Sequence, residues 1–204
     1  RESREIMGIN LSYIEGQTPI DEDEKSGLKI KTITTRNELD EWEQLNIEDA
    51  IKWSIKIKKT AEDLITADFV RDLHTRMYGR VWKWAGQFRN TNKNIGVDKY
   101  QIGIELKMLC DDFLYWHINN TFTPHERVIR FKHRIVSIHC FPNGNGRHSR
   151  LIADILISKL YGEPVFKWGG SQNLSSESEI RKTYLRALRE ADKGNFAPLI
   201  EFAI

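Results

Sequence analysis

Apolar residues recur at helical spacing in several stretches of the chain, and polar turns with capping signals separate them. Leu39, Trp42, Leu45, Ile47, Ile51 and Trp53 follow Thr35 and Glu38, whose Thr-x-x-Glu spacing is a capping box, and together they predict a long helix. A second helix is expected from about Ala67 to Tyr78, stopped by Gly79. Thr123, Pro124 and Glu126 supply a cap, a first-turn proline and a capping-box partner for an apolar helix that leads to His139. Leu151, Ile152, Ile155, Leu156 and Leu160 mark another, closed by Gly162 and Pro164, and Ser176 with Glu179 starts one more that carries Ile180, Tyr184, Leu185 and Leu188. The pattern predicts an all-α chain. No internal repeat or low-complexity linker interrupts it. Residues 1–34 read as an N-terminal arm of weak periodicity with an acidic turn at Asp21 to Glu24, and residues 35–204 as one domain.

One segment departs from the helical period. From Phe88 to Ile102 apolar residues are sparse and asparagines cluster, which is turn chemistry and predicts a short β-hairpin.

Composition narrows the class. At 204 residues, 40% of them apolar, the chain can bury a sizeable core. Its net charge of +2 is the difference between 31 basic and 29 acidic side chains, so no global field argues for nucleic acid or membrane as a partner. Cys110 and Cys140 have neither metal-ligand nor redox spacing. No apolar run approaches the roughly 20 residues that span a bilayer, and Arg1 to Ile6 is too polar for a secretory signal. A cytoplasmic location is expected.

The chemistry concentrates between His139 and Arg150, which read His-Cys-Phe-Pro-Asn-Gly-Asn-Gly-Arg-His-Ser-Arg. Asn143, Gly144, Asn145 and Gly146 form a turn directly before an apolar helix. Free N–H groups and the dipole at a helix N-terminus attract anions, and glycines let backbone approach a phosphate closely. Arg147 and Arg150 are neighbours on the first turn. Two cations there have the wrong sign for the dipole unless an anion lies between, and guanidinium groups fork readily onto successive phosphates. His139 is the group whose ordinary pKa suits a general base. Phe141 reads as an inward anchor for the loop, His148 as exposed, His125 and His133 as surface or packing residues, and the six tryptophans as core.

This string resembles the Fic family signature, His-x-Phe-x-(Asp or Glu)-Gly-Asn-Gly-Arg-x-x-Arg, and departs from it at one fixed position, Asn143. The segments Gly16-Gln-Thr-Pro-Ile-Asp-Glu-Asp-Glu, Asn37-Glu-Leu-Asp-Glu-Trp-Glu-Gln-Leu-Asn-Ile and Trp84-Ala-Gly-Gln-Phe-Arg are similar to the bacterial subgroup called mobile mystery protein B. The resemblance implies a Fic-type helical bundle with a β-hairpin flap beside the active site. Here the flap covers Asn90, Thr91, Asn92, Lys93, Asn94, Ile95, Gly96 and Val97, where a target segment would add as a strand. It implies transfer of AMP from ATP to a hydroxyl of a target protein, on Ser, Thr or Tyr. His139 would accept the hydroxyl proton. Gly144, Asn145 and Gly146 would hold the alpha and beta phosphates, with the Asn145 side chain as a further donor. Arg147 would contact the beta phosphate and Arg150 the terminal one, and one of the tryptophans is a candidate wall for the adenine pocket. Magnesium, or manganese, would accompany ATP. Asn143 stands where the family carries a metal-binding carboxylate, and a neutral amide oxygen holds magnesium less firmly.

The resemblance further implies a brake. Glu15, in Leu11-Ser-Tyr-Ile-Glu-Gly16, matches the end of a family inhibitory pattern whose glutamate pairs with the second motif arginine, here Arg150. The subgroup implies a regulatory or antitoxin partner. Two other readings stay open: a Fic-fold enzyme that uses another nucleotide donor or removes AMP, and a nucleotide-binding regulatory module in which Asn143 has weakened or ended catalysis.

Overall fold

In the computed structural model, which describes residues 20–170 and 179–204, helices begin where the sequence supplies caps. The acidic turn of the arm forms α1 (Glu22–Lys25). Helix α2 (Arg36–Lys56) opens on the expected box: Glu38 N–H donates to Thr35 Oγ1 at 3.3 Å, and Thr35 N–H donates to the Glu38 carboxylate at 2.9 Å. A short α3 (Ala61–Leu64) precedes α4 (Ala67–Tyr78), capped by Thr66 and ended at Gly79. Helix α5 (Ile102–Ile118) carries no side-chain cap. Helix α6 (Pro124–Ile138) is capped by Thr123 through Glu126 N–H at 3.3 Å; the Glu126 carboxylate turns to Arg130 instead of closing a box. Helix α7 (Asn145–Tyr161) stops at Gly162, whose φ of 68° is left-handed. A 3₁₀ turn (Trp168–Gly170) follows, then α8 (Glu179–Asp192) and α9 (Ala197–Ala203). Ser176, the expected start signal of α8, lies outside the described residues.

Helices α5, α6 and α7 pack in series, α4 closes on α7, α2 lies on α4, and α8 pairs with α9. Val70, Leu73 and Met77 of α4, Val128, Ile129 and Phe131 of α6, and Ile152 and Leu156 of α7 are fully buried where these faces meet, each worth about 1.5–3 kcal/mol of transfer free energy. Helix α2 turns an unusual face inward. Leu39 and Ile47 are buried as expected, but Trp42, Leu45 and Ile51 lie outside, and Glu43, Asn46 and Ser54 fill the inner row.

The arm is packed from Ile20 onward. Ile20, Leu28 and Ile33 join the core, and Leu28 bridges Trp82 through Lys29 N–H to Val81 O and Lys83 N–H to Gly27 O, both 2.8 Å. This single bridge makes no strand. The hairpin expected between Phe88 and Ile102 is likewise not formed, and the described residues contain no strand. The backbone groups of that segment pair elsewhere. Arg89 N–H donates to Cys140 O at 2.9 Å and Val97 N–H to Ile138 O at 3.3 Å, so the loop is stitched to the end of α6, and Asn92 closes it on itself through Asp98 and Lys99 N–H. No described helix is long and apolar enough to cross a membrane.

Candidate active site

The corner between α6 and α7 is fixed from both sides. His139 ends α6 in the left-handed region (φ 57°, ψ 60°), an unusual conformation for a residue with a Cβ. Two residues on, Phe141 anchors the loop as the sequence suggests, stacked on His74 at 3.7 Å between ring centroids and edge-on to His148 at 5.3 Å. The Asn145 side chain closes a two-bond clamp on the same residue: Phe141 N–H donates to its Oδ1 at 3.0 Å and its Nδ2 donates to Phe141 O at 2.8 Å. That amide therefore braces the loop, with one of its two N–H groups committed to Phe141 O. His74 donates from Nε2 to Asn143 O at 3.0 Å and accepts Gly86 N–H on Nδ1 at 3.0 Å, which sets its tautomer. Gly144 has φ 79°, and a Cβ there would stand 2.6 Å from the Tyr78 ring. Only glycine fits.

These constraints leave the N-terminus of α7 uncapped by any side chain. Its first ladder bond runs from His148 N–H to Gly144 O at 2.9 Å, so the amides of Asn145, Gly146 and Arg147 remain outside the ladder at the end that lines a cleft of about 1230 Å³. His139, Asn143, Gly144, Asn145, Gly146, Arg147 and Arg150 all reach this one cleft, with Ile95 and Gly96 at one rim and Tyr184, Leu185 and Leu188 of α8 across from them. Open amides, the dipole and guanidinium groups there form an anion site.

Electrostatics separate the roles. Burial, with Arg89 and Lys93 adding to it, lowers His139 to about 4, so its imidazole is neutral at ordinary pH. The two arginines diverge. Arg147 pairs with Glu43 of α2 at 2.7 Å, and the other oxygen of that buried carboxylate accepts Trp82 Nε1–H at 2.6 Å. Arg150 lies over the Tyr184 ring at 5.7 Å. Burial alone would raise the Tyr184 hydroxyl, but Lys132, which donates to it, and Arg150 outweigh that and hold it below its ordinary value. Asp154, one turn beyond Arg150 and also in the cleft, accepts Trp168 Nε1–H at 3.1 Å and Phe166 N–H at 3.2 Å, yet burial raises it to about 7.

The donors present do not build a metal cage. Asn143 offers one neutral oxygen, and that oxygen accepts the Gly144 N–H at 2.7 Å. Among the described residues no group of three His, Cys, Asp or Glu side chains is placed to hold an ion.

Other expectations resolve differently. His148 is buried, not exposed, and binds Val70 O at 2.9 Å. His133 meets Asp192 at 2.8 Å on the cleft rim, and Trp168 is the tryptophan that lines the cleft. In the flap segment Thr91 and Lys93 turn away to α1: Lys93 is buried between Asp21 and Glu24, each at 2.7 Å, and Thr91 reaches Asp21 at 3.1 Å. Asn92 binds Asp98 at 2.9 Å. Glu15 lies outside the described residues. Sequence reasoning missed Glu43, Tyr78, Arg89, Asp154 and the placement of Tyr184. Glu43 had a visible signal, a carboxylate midway between Leu39 and Ile47 on one helical row.

The Fic/DOC family model matches residues 64–157. Among curated relatives, the chain is 26% identical over 195 residues to "Protein adenylyltransferase Fic" of Aedes aegypti and 27% identical over 194 residues to the protein of that name from Culex quinquefasciatus, covering 93% of this chain in both cases. The chain spans 37% of the length of each. Among solved structures, Fic-1 (residues 134–508) of C. elegans superimposes with a TM-score of 0.64 at 23% identity, covering 78% of this chain and 46% of that one. BepC of Bartonella tribocorum, solved with bound AMPPNP, gives a TM-score of 0.64 at 18% identity, over 89% of this chain and 96% of that one.

Proposed function

We propose, from the match of residues 64–157 to the Fic/DOC family model and the fold shared with solved Fic structures, that this chain is a protein adenylyltransferase, moving AMP from ATP to a hydroxyl side chain of a target protein. One observation carries the reading: a neutral, buried histidine at the end of α6 and the uncapped amides of α7 open on a single cleft. The names of the curated relatives and the AMPPNP held by BepC support it. The hydroxyl oxygen bonds to the alpha phosphorus, the bond from that phosphorus to the bridging oxygen of the beta phosphate breaks, pyrophosphate departs, and the proton passes to His139. The amides of residues 145–147 stabilise the charge on the phosphates, Arg150 serves the terminal one, and no covalent enzyme intermediate forms. Arg147, tied to Glu43, acts from the side of the cradle. Magnesium or manganese enters this reading only as the counter-ion that triphosphate carries, because the donors among the described residues do not build a site for one.

The reading includes Glu15 as a brake on Arg150, the segment Asn90 to Val97 as the place where the target docks, and a domain of residues 35–204 onto which the arm from Ile20 packs. The subgroup resemblance adds a regulatory or antitoxin partner and a cytoplasmic setting. A second reading, a nucleotide-binding regulator without turnover, draws on the Asn143 oxygen being engaged within its own loop.

Alpha-labelled ATP with magnesium or manganese tests the proposal. Label should pass to protein with the unaltered chain, disappear with His139→Ala, and increase with Glu15→Gly. Bound ATP with no label in any variant would overturn the transferase reading, and label appearing only in Asn143→Asp would favour the second one.

A further inference from the structure

Arg89 is almost fully buried, yet every hydrogen bond its guanidinium makes among the described residues goes to a backbone carbonyl. Nε donates to His139 O at 2.6 Å, Nη1 to Thr91 O at 2.8 Å, and Nη2 to Val97 O and, at 3.5 Å, to Ile138 O. Its own N–H adds Cys140 O at 2.9 Å. Two of the carbonyls on the guanidinium belong to the end of α6, where helix carbonyls lack ladder partners and the dipole favours a cation. The other two belong to the loop that covers His139. Burying a guanidinium with no carboxylate bonded to it is costly even though Asp98 and Glu24 act on it from further off, and an apolar residue would fill the same space more cheaply. What the fork provides is geometry. It fixes the carbonyl of His139 while that residue is held left-handed, and it ties the covering loop to the same point. The fit is close: a Cβ on Gly96 would stand 2.7 Å from His139 Cβ and 2.8 Å from Arg89 Nη2.

We propose that Arg89 is the positioning residue for His139: its four-carbonyl fork sets the backbone angle of the base and clamps the loop 90–97 over it. This rests on the base role assigned to His139 above. The fork binds no group of the α7 cradle, so it governs where the base stands and not how the nucleotide binds. The charged groups acting on the His139 ring are Arg89 and Lys93, and Lys93 is itself met by Asp21 and Glu24.

Arg89→Lys, Arg89→Met and Gly96→Ala test it, with ATP affinity, kcat for label transfer, and NMR titration of ¹³C-histidine as readouts. In Arg89→Lys, which keeps the charge and loses the fork, and in Gly96→Ala, which pushes the loop away, kcat should fall by about a hundredfold while ATP affinity holds within about twofold. In Arg89→Met the same fall should come with a rise of about one pH unit in the His139 titration midpoint, absent from Arg89→Lys. An unchanged kcat in folded variants overturns the proposal. So does ATP affinity that falls in step with kcat, which would make Arg89 a support of the nucleotide cradle. Should the chain transfer no label at all, the titration still decides the placement: a His139 midpoint unmoved in Arg89→Met overturns it independently of the activity.

Discussion

At the scale of single residues, Glu43 does the least expected work. It sits on the inner row of α2 and joins Arg147 of the cradle to the indole of Trp82 in the core. Glu43→Gln keeps the shape and removes the charge, leaving a guanidinium facing a neutral amide. Unfolding in urea should show a loss of about 2 kcal/mol, the cost of breaking a largely buried ion pair on one side. An unchanged midpoint would mean that solvent already shields Arg147. That His139, Gly144 and Arg150 reach one cleft was legible in the sequence because each sits beside a helix end, within a dozen residues. Arg89 and Tyr78 could not be placed, and Glu43 showed only that it faces inward, since their partners lie 50, 66 and 104 positions away and packing alone brings them together. The brace that the Asn145 side chain makes on Phe141 was not legible for a like reason: a loop brace and a phosphate donor use one residue type at one position.

At the scale of elements, α2 and α4 were foreseen nearly to the residue at their starts, whereas the one-turn α3, though it opens on a Thr60–Asp63 box, and the uncapped α5 were not. The segment after Phe88 looked like a hairpin because asparagine-rich turn chemistry sits in its middle; the amides of Arg89 and Val97 bond instead to the chain at the end of α6, and that of Lys99 to the Asn92 side chain. Asp154 joins α7 to the 3₁₀ turn and carries a testable sign. Its folded pKa of about 7 lies above the ordinary carboxylate value, so the folded chain holds a proton that the unfolded chain has released, and stability is lost as pH rises from about 4 to 7. Asp154→Asn keeps the oxygen that accepts Phe166 and Trp168. It should stabilise the protein by about 4 kcal/mol at pH 8 and by about 2 kcal/mol at pH 5, seen as a Tm raised more at the higher pH. Equal shifts at both would show that Asp154 is ionised throughout.

At the scale of the whole molecule, three buried histidines dominate the response to acid. His74 lies well below its ordinary pKa, and His139 and His148 are at about 4, each chiefly through burial. A depressed folded pKa means that the unfolded chain takes up protons first. Their contribution is whole above about pH 6.5 and is lost as pH falls toward 4, by about 2 kcal/mol for each of His139 and His148 at pH 5. Asp154 works in the opposite direction and offsets about 2 kcal/mol of that loss between pH 7 and 5. Urea midpoints should therefore be lower at pH 5 than at pH 7.5. A midpoint that stays level would mean the imidazoles are solvated in the folded state. The contact between α1 and the loop over His139 bears on modularity. Lys93 owes its two counter-charges to Asp21 and Glu24, which stand well ahead of the stretch that the family model matches. A fragment excised at residue 35 would carry the whole signature and yet strand a buried ammonium without an anion. The smallest heritable unit of this site thus begins before its recognisable part, and a recombination event that moved residues 35–204 alone would transplant the cradle without the clasp that seats its cover.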